Sequence, residues 1–258
     1  MNRPRLIVFL MIDNGYLRKS VKFLDSVYVG DPLNAVKIFS DFEIDELIFV
    51  DINATKENRD PDYELLKNIA SVSRMPICYG GGIKSLNQIE KIINLGVEKV
   101  SICSEAILNE TLIKEASMAF GKQSIVGCLD VKRSNDLKKY EVFVHNGKKK
   151  LDVSLEYCIE SLLINGAGEI LINNIDLDGT YKGFDTDLVS KVVQLSSAPV
   201  TIVGGAGSLK DITRLWKNTN VSGVAAGSLW SFRYSHNTVL LNYPDINTKL
   251  SLFTSKKS

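Results

Sequence analysis

The chain contains eight short apolar runs rich in β-branched residues, separated for the most part by segments with helical spacing of apolar side chains. The runs span residues 6–10, 47–50, 77–79, 100–102, 125–129, 170–172, 200–203 and 224–226. Parallel strands that are apolar throughout must be covered on both faces, and eight such units in 258 residues favour a sheet that closes on itself. We therefore expect an α/β fold, a (β/α)8 TIM barrel that forms a single domain over residues 1–258.

Three helix starts and one insertion are also predicted. Ser85, Asp31-Pro32 and Ser208 each stand before a helical pattern and have the residue types that begin helices. Residues 133–151 interrupt the alternation after the fifth strand, and Asn146-Gly147 there follows an alternating run at 140–145. Because Asn-Gly is a preferred hairpin turn, we expect a two-stranded hairpin inserted after the fifth strand.

The two halves of the chain resemble each other when the sequence is shifted by about 123 positions, as a repeat search prescribes. The matches are Glu46-Leu47-Ile48 on Glu169-Ile170-Leu171, Pro76 on Pro199, Gly81-Gly82 on Gly204-Gly205 and Ser85-Leu86 on Ser208-Leu209. The repeat predicts a barrel with twofold half-barrel symmetry. A pocket built from the first half should therefore have a counterpart built from the second half.

Glycine-rich strand ends predict two phosphate-binding corners at the barrel mouth. The first corner follows the third and fourth strands, and its candidate contacts are Gly82, Cys103 and Ser104. The second follows the seventh and eighth strands and is bordered by the 178–180 segment; its candidate contacts are Asp178, Gly179, Gly205, Gly227 and Ser228. Glycine lets backbone N–H groups approach an anion, and a hydroxyl can donate to it. A single glycine-rich run can also be a tight turn, but two runs in repeat register favour phosphate binding.

Composition narrows the class of ligand. The 31 basic and 30 acidic residues give a net charge of +1, so we expect neither nucleic-acid nor membrane binding, and a small phosphorylated molecule instead. The four cysteines have no CxxC spacing, and we expect no disulfide, no metal site and no cofactor. The first apolar run stops at Asp13, too short for a signal peptide or a membrane span, which predicts a cytoplasmic protein.

A further series of short motifs extends over nearly the whole chain. They are Gly30-Asp31-Pro32, Asp45-Glu46-Leu47, Asp51-Ile52, Gly80-Gly81-Gly82-Ile83, Lys99-Val100-Ser101-Ile102, Lys132-Arg133 after Asp130, Gly166-Ala167-Gly168-Glu169-Ile170 and Asp178-Gly179-Thr180. With these motifs the chain resembles the cyclase subunit of imidazole glycerol phosphate synthase, an ammonia-using barrel of histidine biosynthesis. The resemblance implies a substrate with a phosphate at each end. It also implies a glutaminase subunit on the N-terminal face of the barrel, from which ammonia passes through the barrel to the mouth.

The family closes the lower end of its barrel with four charged side chains, contributed by the starts of alternate strands. The matching residues are Arg5, Glu46, Lys99 and Glu169, each immediately before an apolar run. Two acids and two bases in one ring can neutralise each other and leave a polar constriction. The resemblance therefore implies an ammonia gate, and the alternative is a solvated charged rim.

The chain departs from the family at the catalytic site. The family uses two aspartates as general acid and base; Asp130 matches the second, but Met11 stands where the first is expected. A thioether cannot carry a proton, and Asp13, two residues further along the same strand face, is the candidate replacement. Lys19 on the first loop is retained as a candidate phosphate contact.

Other departures lie around the pocket and at the C-terminus. Cys103, Val203 and Asn173 stand where the family has asparagine, serine and threonine. The family's last long helix is replaced by a stretch that contains Tyr243-Pro244 and ends in Lys256-Lys257-Ser258. The pocket changes indicate a different substrate.

Three functions are consistent with this pattern. The first, which we favour, is a paralogous synthase that takes ammonia from a glutaminase and aminates or amidates another phosphorylated or nucleotide-linked substrate, such as a surface sugar. The second is a genuine imidazole glycerol phosphate synthase cyclase in which Asp13 replaces the missing acid. The third is a non-catalytic conduit that passes ammonia to a third, amidating enzyme.

Overall fold

The structure is a computed structural model, and it describes residues 3–24, 26–135, 139–233 and 238–253. Within these residues it has fourteen strands. In chain order they are β1 (Arg5–Asp13), β2 (Tyr16–Lys19), β3 (Val27–Gly30), β4 (Glu46–Asp51), β5 (Ile77–Gly80), β6 (Lys99–Ile102), β7 (Ile125–Arg133), β8 (Tyr140–Val144), β9 (Lys149–Ser154), β10 (Glu169–Asn174), β11 (Val200–Val203), β12 (Gly223–Ala226), β13 (Phe232–Arg233) and β14 (Thr238–Val239).

Eight of these strands form a closed parallel barrel. Its order is β1-β4-β5-β6-β7-β10-β11-β12, and β12 pairs with β1 to complete the ring. Each predicted apolar run lies within one of the eight strands. The predicted (β/α)8 barrel is therefore confirmed.

Ten α-helices are described in the same residues; eight of them connect barrel strands, and the last two follow β12. In chain order the ten are α1 (Pro32–Asp41), α2 (Tyr63–Val72), α3 (Leu86–Asn94), α4 (Ser104–Leu108), α5 (Glu110–Phe120), α6 (Leu155–Ile164), α7 (Thr186–Leu195), α8 (Leu209–Thr219), α9 (Ser228–Ser231) and α10 (Ile246–Phe253). None of the described helices is long and apolar enough to cross a membrane.

The predicted helix starts are confirmed by side-chain caps. Asp31, Ser85 and Ser208 each accept a hydrogen bond from a backbone N–H in the first turn of α1, α3 and α8, which satisfies a donor that has no partner within the helix. The α3 helix begins four residues after Gly82 rather than directly at the glycine run, because Ser85 and Gln88 form a capping box there.

Two hairpins extend the barrel at its mouth. The predicted one is confirmed: β8 pairs antiparallel with β7 and β9 with β8, and the connecting loop spans residues 145–148. Residues after Asp13 were expected to form a loop, but β2 folds back on β1 and β3 pairs with β2. The signal for this second hairpin was Asn14-Gly15, a two-residue turn with both residues at positive φ.

The C-terminal segment packs against the lower end of the barrel. The Tyr243 hydroxyl donates to the Leu6 carbonyl at 2.8 Å, and Lys249 Nζ lies 3.0 Å from an Asp45 carboxylate oxygen. The Lys249 side chain is only 4% exposed and also lies over the Tyr243 ring. The stretch that replaces the family's last helix therefore contains the short helix α10, held to the barrel by a buried ion pair. Residues 254–258, which include the terminal lysines, lie outside the described residues.

The sequence repeat is reproduced in the backbone at the mouth. Gly81 and Gly204 have φ near +114° and +102°, and a Cβ on either would lie 2.4 Å or 2.5 Å from the carbonyl oxygen of Asp51 or Asn174. The four residues are two pairs related by the same shift of about 123 positions. Each half of the barrel thus makes the same close approach between two neighbouring strand ends.

Candidate functional site

At the lower end of the barrel, the four predicted gate residues form one closed ring of alternating charge. Arg5 contacts both Glu46 and Glu169, and Lys99 Nζ lies 3.0 Å from Glu46 and 2.9 Å from Glu169. The Thr201 hydroxyl donates to Glu169 at 2.6 Å. The ring comes from the first, second, fourth and sixth barrel strands, so the expectation of alternate strands was wrong for Arg5.

The charges in this ring stabilise one another. Burial opposes the charged form of Glu169, but Arg5 and Lys99 outweigh it and hold the pKa of this carboxyl below its ordinary value. Burial likewise opposes the charge of Lys99, and Glu169 and Glu46 hold its pKa above the ordinary value. The pKa shifts of Arg5, Lys99 and Glu169 therefore all favour the charged forms of these groups. The ring is a set of mutually paired charges rather than a set of independently solvated side chains.

Above the ring, the barrel interior is apolar. Ile7, Ile48, Cys78, Val126 and Leu171 pack together there and are buried. A small neutral molecule can cross such a layer at low cost, whereas a cation loses its hydration and finds no counter-charge. The interior thus favours a small neutral molecule over a cation.

The first predicted phosphate corner forms a pocket at the mouth. Gly82, Cys103 and Ser104 all line it, together with Asp130 and Asn146 from the β8–β9 loop. Two groups expected to contact the anion also have partners within the protein. The Gly82 N–H donates to Thr55 at 3.2 Å, and the Ser104 hydroxyl accepts from the His145 N–H at 3.0 Å.

The second predicted corner forms another pocket across the mouth. Its lining includes all the residues assigned to it and Lys19, namely Lys19, Asp178, Gly179, Gly205, Gly227 and Ser228. The Lys19 ammonium lies 4.7 Å from the centre of the Phe232 ring and 5.6 Å from that of Tyr181. Burial lowers the pKa of Lys19, and Asp178 counteracts this effect. Lys19 is thus a positioned cation in this pocket.

Asp178 borders the second pocket but is also part of the scaffold of the first loop. Its carboxylate accepts from the Ser20 hydroxyl at 2.7 Å and from the Phe23 N–H at 3.4 Å. Burial raises the pKa of Asp178 above its ordinary value, although both of these hydrogen bonds act in the opposite direction. The carboxylate therefore holds the first loop over the mouth.

Asp130, the predicted catalytic residue, is buried at the end of β7 and lines the first pocket. Asn173 Nδ2 donates to its Oδ1 atom at 3.2 Å. Burial raises the pKa of Asp130 to about 7, despite hydrogen bonds from Cys103 and Asn173 that lower it. A carboxyl with this pKa can both give and take a proton near neutral pH.

Met11 lines both pockets, and so does Phe9 from the same strand. Asp13, by contrast, is not among the described residues that line either pocket. Its carboxylate accepts from Asn53 Nδ2 at 2.6 Å and lies 3.8 Å from Arg18 Nε. The structure thus brings Met11 and Asp130 to one pocket and holds Asp13 at its edge by other partners.

One group at the mouth was missed in the sequence. Cys103 and Cys128 were expected to be isolated because the cysteines have no CxxC spacing, but their sulfur atoms and an Asp130 oxygen lie within 4.8 Å of one another. The signal was in the strand register: β6 and β7 pair from Val100 with Ile125 to Ile102 with Gly127, so Cys103 comes level with Cys128. Such a pair is visible only when strand pairing is known.

Comparison with known proteins gives a consistent result. The family model described as histidine biosynthesis protein matches residues 5–235. A Leptospira interrogans protein named "Putative imidazole glycerol phosphate synthase subunit HisF" is 44% identical over 253 residues, which cover 98% of this chain and 100% of that protein. A Pseudomonas aeruginosa protein named "Putative imidazole glycerol phosphate synthase subunit hisF2" is 46% identical over 96% of this chain and 98% of its own length. The Streptococcus mutans "Imidazole glycerol phosphate synthase subunit HisF" is 34% identical over 90% of this chain and 92% of its own length.

Proposed function

The chain belongs to the histidine biosynthesis protein family and is a HisF-type subunit, and from this premise we propose that it is a paralogue acting on a different substrate. In this proposal a glutaminase partner binds the lower end of the barrel and supplies ammonia through it. The barrel then uses the ammonia to aminate or amidate a phosphorylated or nucleotide-linked substrate. A surface sugar is the substrate class that we favour.

One observation carries the proposal: Met11 lies in the pocket that holds Asp130, while Asp13 is engaged by Asn53 and Arg18. A cyclase that needs a proton carrier on each side of its substrate has one at Asp130 and a thioether at Met11. Recruiting Asp13 would require it to leave both of its present partners. This geometry favours a reaction on another substrate over the unchanged cyclase reaction of the family.

The lower ring and the apolar interior support the ammonia path. The lower ring matches the family's gate at all four positions, and every member is paired. Ammonia can pass between the four side chains when one contact opens. The two mouth pockets support a substrate with two anionic groups, since Lys19 supplies a cation to one and glycine-rich backbone lines both. Asp130, with a pKa of about 7, supplies the proton transfer that accompanies attack by ammonia.

The test is genetic, because it does not require the substrate to be known beforehand. A host strain that lacks this chain is complemented with the native protein, with Asp130→Asn or with Asp152→Asn, and amidated surface sugars are measured by mass spectrometry. We expect native and Asp152→Asn proteins to restore amidation, because Asp152 is exposed on β9, and Asp130→Asn to restore about 1% or less.

Two results would contradict the proposal. Full amidation with Asp130→Asn would make the barrel a conduit for a third enzyme, and restoration of growth in a histidine auxotroph that lacks its cyclase would make it a genuine cyclase. The ammonia path is tested by Lys99→Met, which breaks two contacts of the ring. We expect this variant to lose amidation at low external ammonium and to regain it at high ammonium.

A further inference from the structure

Two thiols and a carboxylate converge at the mouth of the barrel. The sulfur atoms of Cys103 and Cys128 and an oxygen of Asp130 all lie within 4.8 Å of one another. Cys128 and Asp130 are two residues apart on β7 and therefore share its inner face, and Cys103 stands level with Cys128 at the end of β6. Cys128 and Asp130 lie within β7, and Cys103 stands directly between β6 and α4, so regular elements hold all three groups.

We propose that Cys103, Cys128 and Asp130 form a binding site for Zn²⁺, with the fourth coordination position facing the first pocket. Thiolate sulfur and carboxylate oxygen are common zinc ligands, and three protein ligands with one open position are typical of zinc sites that bind a further small molecule. All three residues line the first pocket, so the open position is reachable from the mouth.

The separation of the two cysteines fits a shared metal ion. Both are free thiols, and their sulfur atoms lie within 4.8 Å of each other and of an Asp130 oxygen. Two sulfurs bound to one tetrahedral zinc at about 2.3 Å are themselves about 3.8 Å apart. Side chains from adjacent strands reach that separation with small rotations.

The surroundings provide what a metal site needs beyond its ligands. Asn173 Nδ2 donates to Asp130 Oδ1 at 3.2 Å and so orients the carboxylate, as hydrogen bonds to metal ligands commonly do. Cys128 packs with Leu171 and Val203, which exclude water from one side of the cluster. Binding replaces the two thiol protons by the ion, because the ligands must be thiolates.

The inference goes beyond the proposed ammonia chemistry and does not depend on it, because metal binding is measured without substrate or glutaminase. The two are linked in one respect. When the ion is bound, Asp130 is a ligand and cannot carry a proton. Zinc should therefore inhibit any turnover that depends on Asp130, and a chelator should restore it.

The direct experiment is a titration of the reduced, metal-free protein with Co²⁺, followed by displacement with Zn²⁺. We expect one equivalent of cobalt to give a thiolate charge-transfer band in the near ultraviolet and intense visible bands of tetrahedral coordination. One equivalent of zinc should remove both. Absence of these bands in the reduced native protein would overturn the proposal.

Variants identify the ligands. Cys103→Ser should weaken zinc binding about 100-fold or more, and Asn173→Ala, which leaves the ligands intact, should weaken it about 10-fold. Cys78→Ser is the matched control, because Cys78 is another buried thiol of the barrel interior outside the cluster, and it should bind normally. Circular dichroism verifies that each variant is folded.

Two further results would overturn the assignment. One is equal loss of the cobalt bands in Cys78→Ser and Cys103→Ser, which would mean a general disturbance of the interior. The other concerns thiol titration. If native protein loses two titratable thiols when the reductant is removed and regains them on reduction, while Cys103→Ser loses none, the two cysteines form a disulfide instead.

Discussion

The lower end and the mouth of the barrel both contain buried carboxylates, but their partners differ. Glu46 and Glu169 each contact Arg5 and Lys99, so every charge of the lower ring has two counter-charges. At the mouth, the described donors to Asp130 are Asn173 and Cys103, both neutral. The pKa of Glu169 is accordingly lowered and that of Asp130 raised.

The buried charges of the lower ring thus stabilise the fold, whereas the buried carboxyl at the mouth is suited to proton transfer. A ring of paired charges keeps its ionisation over a wide pH range. Substitution of any one residue is destabilising, because it leaves a buried charge with fewer partners. A buried carboxyl among neutral partners is poised to change its protonation state near neutral pH. Among the positions inferred from the resemblance, Met11, Cys103, Asn173 and Val203 at the mouth depart from the family pattern, whereas the four ring residues match it. In the proposed function, the lower ring keeps its role as the entrance for ammonia and the mouth differs where the substrate binds.

The largest stability effect should come from the glycines that build the two mouth corners. Gly81→Ala and Gly204→Ala should each lower the free energy of unfolding by about 4 kcal/mol, because a Cβ would meet a backbone carbonyl oxygen at positive φ. Denaturant unfolding measures both, and Gly30→Ala, where a Cβ meets no atom within 4 Å, should change little. Clearly unequal losses of unfolding free energy in the two variants would contradict the twofold symmetry of the mouth.

The next largest effect should be at the lower ring. Glu169→Gln should lower the free energy of unfolding at pH 7 by about 3 kcal/mol, because Arg5 and Lys99 then share one carboxylate. Glu156→Gln, which removes a surface ion pair with Lys191, should cost less than about 1 kcal/mol. The Glu169 contribution is present above the unfolded pKa and is lost as pH falls through the lower folded pKa. A loss as small as that of Glu156→Gln would mean that the ring is solvated.

The same carboxylate-to-amide change should have the opposite sign at the mouth. The folded pKa of Asp130, about 7, lies above its ordinary value of 3.8, so the folded state binds the extra proton between these values and stability falls as pH rises through them. In the presence of a chelator, Asp130→Asn should therefore be more stable than the native protein by about 2 kcal/mol at pH 8, and by less than half of that at pH 5. A destabilised variant at pH 8 would contradict the contrast between the two ends.

The smallest effect should be outside the ring, at the C-terminal anchor. Lys249→Met should lower the free energy of unfolding by about 1 kcal/mol, because Asp45 loses one buried cation but keeps Arg3 and the Leu6 N–H. The exposed Lys210→Met is the control and should have no measurable effect. Equal results for the two variants would mean that the anchor contributes nothing to the lower end.

Most of the barrel could be predicted from the sequence because its signals are local. Apolar runs mark the strands, and Asp31, Ser85 and Ser208 mark helix starts, since a cap needs only its own first turn. The β1–β2 hairpin was missed although Asn14-Gly15 is a preferred hairpin turn. The position of Asp13 beside Asn53 and the approach of Cys103 to Cys128 could not be predicted, because both depend on the register between different strands.

In our proposal the mouth has lost the histidine-pathway reaction through Met11 while the barrel around it is intact. The most direct test is turnover of the cyclase's ribulosyl nucleotide substrate with excess ammonium, which bypasses the glutaminase. Native protein is compared with Met11→Asp and with Met118→Asp, a change at a surface methionine that is 78% exposed. We predict no turnover by the native protein or Met118→Asp, and a gain of about 100-fold over background in Met11→Asp. Turnover by the native protein that disappears in Asp13→Asn would contradict the account and make Asp13 the missing acid.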